Sequence, residues 1–167
     1  NSPAQAGNRA AAMTSETAVA AQTFNDGQTD VWTDVYLQPV FGADHHSVTQ
    51  PPAGCSFAFY VHTNGQVVAY DGGKETNLTH APLNEGQWVR VTVHSDHTAR
   101  TWDLHLRGGT TPIAAGLGFF DATAAASYTE FGIRGAGTST ARIDSIRIDT
   151  NAPAMNAGRL GTVMFGK

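Results

Sequence analysis

Charge is scarce in this sequence: Asp, Glu, Lys and Arg make up 14% of the residues, against roughly 25% in ordinary soluble domains. Lys and Arg number 10 in all, form no basic run, and leave a net charge of −4. Nucleic acid, whose phosphates are met by clustered cations, is excluded as a partner on that ground, and so is an anionic membrane surface. Cysteine is almost absent. A lone Cys55 rules out an internal disulfide, and its place in the apolar run from Cys55 to Val61 makes it read as a small buried hydrophobe. No apolar stretch approaches the ~18 residues of a membrane-spanning helix, so membrane insertion is not expected. No charged-then-apolar leader opens the chain, which starts at Asn1. The expectation is a mature chain that acts outside the cytoplasm or at the cell surface after leader removal.

Helical periodicity is also missing, and short alternating runs take its place. Strands are predicted over Ala18 to Phe24, Asp30 to Gln38, Cys55 to His62, Gln66 to Tyr70, Gln87 to Ser95, Ala99 to Arg107, Tyr128 to Arg134 and Ala141 to Asp149. Between them stand turn signals such as Asn25-Asp26-Gly27, Asn64-Gly65, Asn84-Glu85-Gly86 and Gly108-Gly109. The 167 residues suit one domain able to bury a core without metals or disulfides. The fold class that follows is all-β, a two-sheet antiparallel jelly-roll sandwich over residues 18–150, with an extended N-terminal arm (1–17) and an extra apolar C-terminal β segment (151–167).

Alternation assigns faces within the strands. Val89, Val91 and Val93 form a core row opposite Trp88, Arg90, Thr92 and His94; Trp102, Leu104 and Leu106 alternate with a polar outer row of Thr101, Asp103, His105 and Arg107. The segments Gly86-Gln-Trp-Val-Arg-Val-Thr-Val93 and Thr101-Trp-Asp-Leu-His-Leu-Arg-Gly108 resemble the central hairpin of laminin-G-like, concanavalin A-like jelly-roll domains, with a W-x-x-V-x-V strand before a W-x-L-x-L strand. The resemblance spans residues 30 to 149. It implies a short strand in Pro112 to Phe119, penultimate and final strands at Phe131 to Gly135 and Ala141 to Asp149, and a last strand lying beside the first. Lectins, laminin modules, glucanases, polysaccharide lyases and structural adhesion domains share this architecture, so the resemblance speaks to fold and not to chemistry.

Glucanases of this architecture carry an E-x-D-x-E strand that sets two carboxylates about 5 Å apart. Here Glu16, Glu75, Glu85 and Glu130 never share a strand face, and no enzyme is expected. Tyr60, His62, Gln66 and Arg134 supply the residue types of a lyase face without that family's motifs. Two histidine groups, Asp44-His45-His46 and His94-Ser95-Asp96-His97, lack a third ligand at diagnostic spacing and read as solvated turns; no metal site is assigned. No cofactor is expected. Calcium stays open only because the resemblance implies loop carboxylates as ligands, and Asp71, Asp96 and Asp121 lie in turns.

Two features carry functional expectations. In Asp30 to Gln38 alternation sets Trp32, Asp34 and Tyr36 on one side, a row that can stack on the C–H face of a sugar and accept its hydroxyls. The competing reading makes Trp32 and Tyr36 core residues and the aspartates strand ends. Second, apolar side chains collect near the two ends, with Val19 and Phe24 at one and Leu160, Val163, Met164 and Phe165 at the other. Strand addition between copies would bury them and build a homo-oligomer or filament. The expected function is therefore a non-catalytic extracellular structural or adhesion subunit that self-associates through its termini; the alternative is a lectin-like module for polysaccharide or glycoprotein glycans.

Overall fold

A computed structural model of the chain describes residues 11–13, 19–41, 50–134 and 141–155. Eleven strands run through them: β1 (Ala11–Met13), β2 (Val19–Thr23), β3 (Asp30–Gln38), β4 (Phe59–Val61), β5 (Val67–Asp71), β6 (Lys74–Asn77), β7 (Val89–Asp96), β8 (Thr101–Leu106), β9 (Ala114–Gly118), β10 (Glu130–Arg134) and β11 (Ala141–Asp149). No helix occurs among the described residues. A six-stranded antiparallel sheet in the order β1-β11-β3-β7-β8-β9 forms one layer. The two-stranded sheet β10-β2 and the three-stranded sheet β4-β5-β6 face it, and together they make the all-β jelly-roll sandwich.

The core follows from alternation. Val35 of β3, Val89, Val91 and Val93 of β7, and Trp102, Leu104 and Leu106 of β8 pack against Val67, Ala69, Leu83, Leu117 and Phe119, with Phe59 and Val61 partly buried beside them. A second cluster joins Val31, Tyr128 and Phe131 to Phe24, Phe57 and Ile148. Two polar residues point into this interior and are matched there: the Thr33 hydroxyl lies 2.9 Å from the Tyr128 hydroxyl, and Ser95 Oγ donates to the Val31 carbonyl at 3.3 Å.

A bulge in β11 decides what the large sheet shows on its two sides. Asp144 stands opposite Tyr36 and Arg147 opposite Asp34, so three steps on β11 match two on β3, and Ser145 takes φ +52° inside the bulge. The extra residue switches parity. Ile143 and Ile148 both face the core although they are an odd number of residues apart, Ile146 is left 46% exposed, and Arg147 and Asp149 are set on the outer side. A similar shift separates Trp102 and Leu104 on the β8–β9 ladder. There Gly116, at φ +66°, gives its free N–H to Asp103 Oδ1 at 2.7 Å. The far edge is tied to the smaller sheet where Gly72 N donates to the Gly118 carbonyl and Gly118 N to Asp71 Oδ1.

Several expectations change. Ala11–Met13, assigned to an arm, pairs with β11 and buries Met13, because an edge strand needs only backbone groups and one inward side chain. Lys74–Asn77 is a strand on the same principle, pairing with β5. The strand expected over Cys55 to His62 shrinks to Phe59–Val61, since the chain turns at residues 53–54 and stays irregular up to residue 58. Cys55 is half-buried, its thiol donating to the Phe57 carbonyl at 3.0 Å. The last strand does lie beside β3, the first strand of the span 30–149, as the resemblance implies, with β1 on its other side, and β2 pairs with β10. Residues 156–167, and with them Leu160, Val163, Met164 and Phe165, lie outside the described residues, as do Asp44, His45 and His46.

Candidate functional site

The outer side of the large sheet is a grid of polar and aromatic side chains in register across four strands. One rung reads Asp149, Trp32, His94 and Asp103; the next reads Arg147, Asp34, Thr92 and His105; a third sets Asp144 beside Tyr36 and Arg90. Trp32, Asp34 and Tyr36 therefore do share an outward face. Trp32 and Tyr36 are half-buried, and Asp34 is 8% exposed.

Asp34 is the centre of this grid and is fully engaged. Arg90 Nε donates to its two oxygens at 2.9 and 3.0 Å, and Thr92 Oγ1 donates to Oδ1 at 2.6 Å. The hydrogen bond from Arg90 to Asp34 raises the guanidinium above its already high ordinary pKa, against the opposing effect of burial. Asp34 is thus the fixture that orients Arg90 and not a free acceptor for sugar hydroxyls, as the sequence suggested. Arg90 Nη1 also donates to the Ala154 carbonyl at 2.8 Å, so the segment after β11 returns across this face and buries Pro153.

Trp32 is held flat against His94, with ring centroids 4.3 Å apart at 15°, and lies 5.8 Å from His105. His94 in turn sits between two carboxylates, Nε2 at 2.7 Å from Asp30 Oδ1 and Nδ1 at 3.4 Å from Asp103 Oδ2. His105 is 4% exposed, and burial lowers its pKa below the usual histidine value although the Gly109 carbonyl, 3.1 Å from Nδ1, acts the other way. His105 stands in the polar outer row expected on β8 and is buried there because Trp32 lies over it from two strands away. His97 likewise does not join His94 in a turn. It is 5% exposed in the interior, edge-on to Phe119 and Tyr128, with Nδ1 on the Ala125 carbonyl.

Where β7 begins and β8 ends, a cavity of about 250 Å³ opens between Tyr36, Trp88, Val89, Arg90, Arg107 and Gly108. Arg107 is placed there by a left-handed backbone at φ +58° and by its N–H on the Arg90 carbonyl. Its Nη2 donates to the carbonyls of Ala81 and Pro82, each at 3.0 Å. Alternation put Arg90 and Trp88 in one row and Arg107 in another. Only the register across strands joins them to Tyr36.

The loop carboxylates considered for calcium hold turns. Asp71 accepts from Gly118 N, Asp96 from Thr98 N and Ala99 N, and Asp121 from Gly54 N and Thr123. Among the described residues no group of three or more His, Cys, Asp or Glu is arranged to hold a metal ion. Tyr60, His62 and Gln66 sit on the β4–β5 hairpin in the opposite layer, away from the grid. At the termini, Val19 is 55% exposed on β2, while Phe24 packs against Tyr128 with ring centroids 5.6 Å apart and the rings tilted at 59°, and belongs to the protein's own core.

Fold and face define the class: an all-β jelly-roll sandwich with a polar and aromatic outer sheet face. No family model matches the chain, and no curated protein matches it. Among solved structures it is similar to the catalytic domain of a glycoside hydrolase family 131 protein from Coprinopsis cinerea, at 14% identity and a TM-score of 0.45. The match covers 80% of this chain and 61% of that one, so the chain spans less than two thirds of the neighbour's length. The neighbour is a catalytic domain, which runs against the expectation that the chain is no enzyme. That expectation looked for carboxylates paired along one strand, a test blind to Asp30, Asp34, Asp103, His94 and His105, which three different strands bring to one face.

Proposed function

We propose that the outer face of the six-stranded sheet binds carbohydrate, with Trp32 and Tyr36 as its stacking platforms. The observation that carries this reading is their placement. They stand four residues apart on β3, about 13 Å along the strand, both half-buried on the outward side and flanked by polar groups already locked in position. The apolar C–H face of a pyranose stacks on an aromatic ring, and its equatorial hydroxyls reach the donors and acceptors alongside. Preorganisation favours binding, because His94 holds the Trp32 ring and the Asp34 bond holds Arg90 before any ligand arrives. We place the domain with the laminin-G-like modules on its Trp88 and Trp102 hairpin, and outside the cytoplasm on its low charge.

Screening the protein against neutral and acidic polysaccharides, followed by calorimetry on those that bind, tests the reading. Trp32→Ala is expected to weaken binding at least about tenfold, the equivalent of roughly 1.4 kcal/mol. If the parent binds no glycan, or the variant binds as tightly as its parent, the reading fails. A second reading, self-association by strand addition, draws on one observation: β2 pairs only with β10 among the described strands and presents Val19 to solvent.

A further inference from the structure

The cavity beside Tyr36 contains two arginines in different electrostatic states. Arg90 is neutralised by Asp34, at 2.9 and 3.0 Å from its two oxygens. Arg107 meets only the uncharged carbonyls of Ala81 and Pro82, and no carboxylate partners it among the described residues. A guanidinium that keeps most of its fork of donors therefore stands, largely exposed, on the wall of a 250 Å³ cavity whose other walls include Tyr36 and Trp88. In a protein with few cations and a net charge of −4, that is an unusual concentration of positive potential.

From this we infer that the glycan bound on the outer face is an anionic one, with the acidic group of a sugar unit seated against Arg107 while the ring lies along Tyr36. This rests on the carbohydrate reading above and names its ligand class. The shared chemistry is a planar or tetrahedral oxyanion on a sugar, which the guanidinium meets with charge-assisted hydrogen bonds from Nε and Nη1, since Nη2 is held by the Ala81 and Pro82 carbonyls. A uronate carboxylate and a sulfate ester both supply it. Arg90 contributes orientation and not charge, since Asp34 cancels it. Selectivity for the anionic sugar therefore depends on one side chain.

The experiment compares binding of a polyuronate, a sulfated glucan and a neutral glucan to the parent, Arg107→Gln and Arg107→Lys proteins at two salt concentrations. The parent is expected to prefer one of the acidic polymers over the neutral one by about tenfold or more, and to lose that preference as salt rises. Which acidic polymer is preferred identifies carboxylate or sulfate. Arg107→Gln should bring the acidic polymer down to the affinity of the neutral one, and Arg107→Lys should restore part of the preference, a pattern that loss of the Ala81 and Pro82 contacts alone would not produce. Neutral binding without acidic preference in the parent overturns the inference and leaves the carbohydrate reading standing, as does an Arg107→Gln protein with undiminished preference. Binding of no polymer at all sinks both.

Discussion

Asp34 shows how one residue can hold a face in shape through the neighbours it orients. Its carboxylate is 11% exposed at the side chain and accepts from Arg90, 15% exposed, and from the fully buried Thr92. Removing it strands a cation and a hydroxyl that water can barely reach. Asp34→Ala is expected to lower stability by about 2–4 kcal/mol, seen as a lower urea midpoint with unchanged slope. Adding Arg90→Met should recover much of the loss, because the orphaned charge goes with it. A double variant no more stable than Asp34→Ala would show that the pair is not what holds this part of the sheet. Alternation along β3 made the shared side of Trp32, Asp34 and Tyr36 legible. The engagement of Asp34 was not, because Arg90 and Thr92 lie 56 and 58 residues away in sequence.

At the scale of elements, strands with strong patterns were read with their observed bounds and weak ones were missed. β3 combines Val and Trp with period-two alternation, β11 carries Ile143, Ile146 and Ile148, and both match their expected ranges. β1 is Ala-Ala-Met and β6 is Lys-Glu-Thr-Asn, compositions without strand propensity that become strands because β11 and β5 offer them a ladder. Turn chemistry was informative where geometry is strict. Gly65 holds φ +79° in the β4–β5 hairpin with its carbonyl on Leu83 N, and a Cβ there would stand 2.3 Å from the Leu83 carbonyl oxygen. The β2 edge raises the self-association reading. The side of β2 that pairs with no described strand can accept a strand from a second copy, and deleting residues 156–167 together with Val19→Lys removes both apolar contributors while keeping the Ala154 carbonyl that Arg90 uses. In sedimentation velocity the full chain is expected to run as an oligomer and the altered one as a monomer. A full chain that sediments as a monomer at all concentrations would end this reading.

For the whole molecule, the tyrosines report how the sandwich resists alkali. Burial, with help from the Glu75 carboxylate, pushes Tyr70 up to about 12. Tyr128, buried between the layers, is pushed higher still by desolvation, and its bond to Thr33 offsets little of that. A phenol with a raised folded pKa favours folding fully below the unfolded value near 10, and that contribution is lost as pH climbs from there through the folded values. Absorbance titration at pH 11 is therefore expected to show at most two of the four tyrosines ionised in the native protein, the others appearing together with unfolding. Smooth ionisation of all four near pH 10 without loss of structure would contradict the burial of Tyr70 and Tyr128.

The sequence by itself determined an antiparallel all-β sandwich and which side of each strong strand faces the core, because side-chain alternation is a local property of the pleat. Tertiary structure alone decided which side chains became neighbours. Register across strands depends on turns and bulges, and one inserted residue moves a whole row to the other side, as the bulge at Ser145 does for Arg147 and Asp149. For that reason Trp32 could be seen in the sequence as an outward aromatic. Its contact with His94, the neutralised Arg90 and the unneutralised Arg107 beside Tyr36 emerged only when the strands were set side by side.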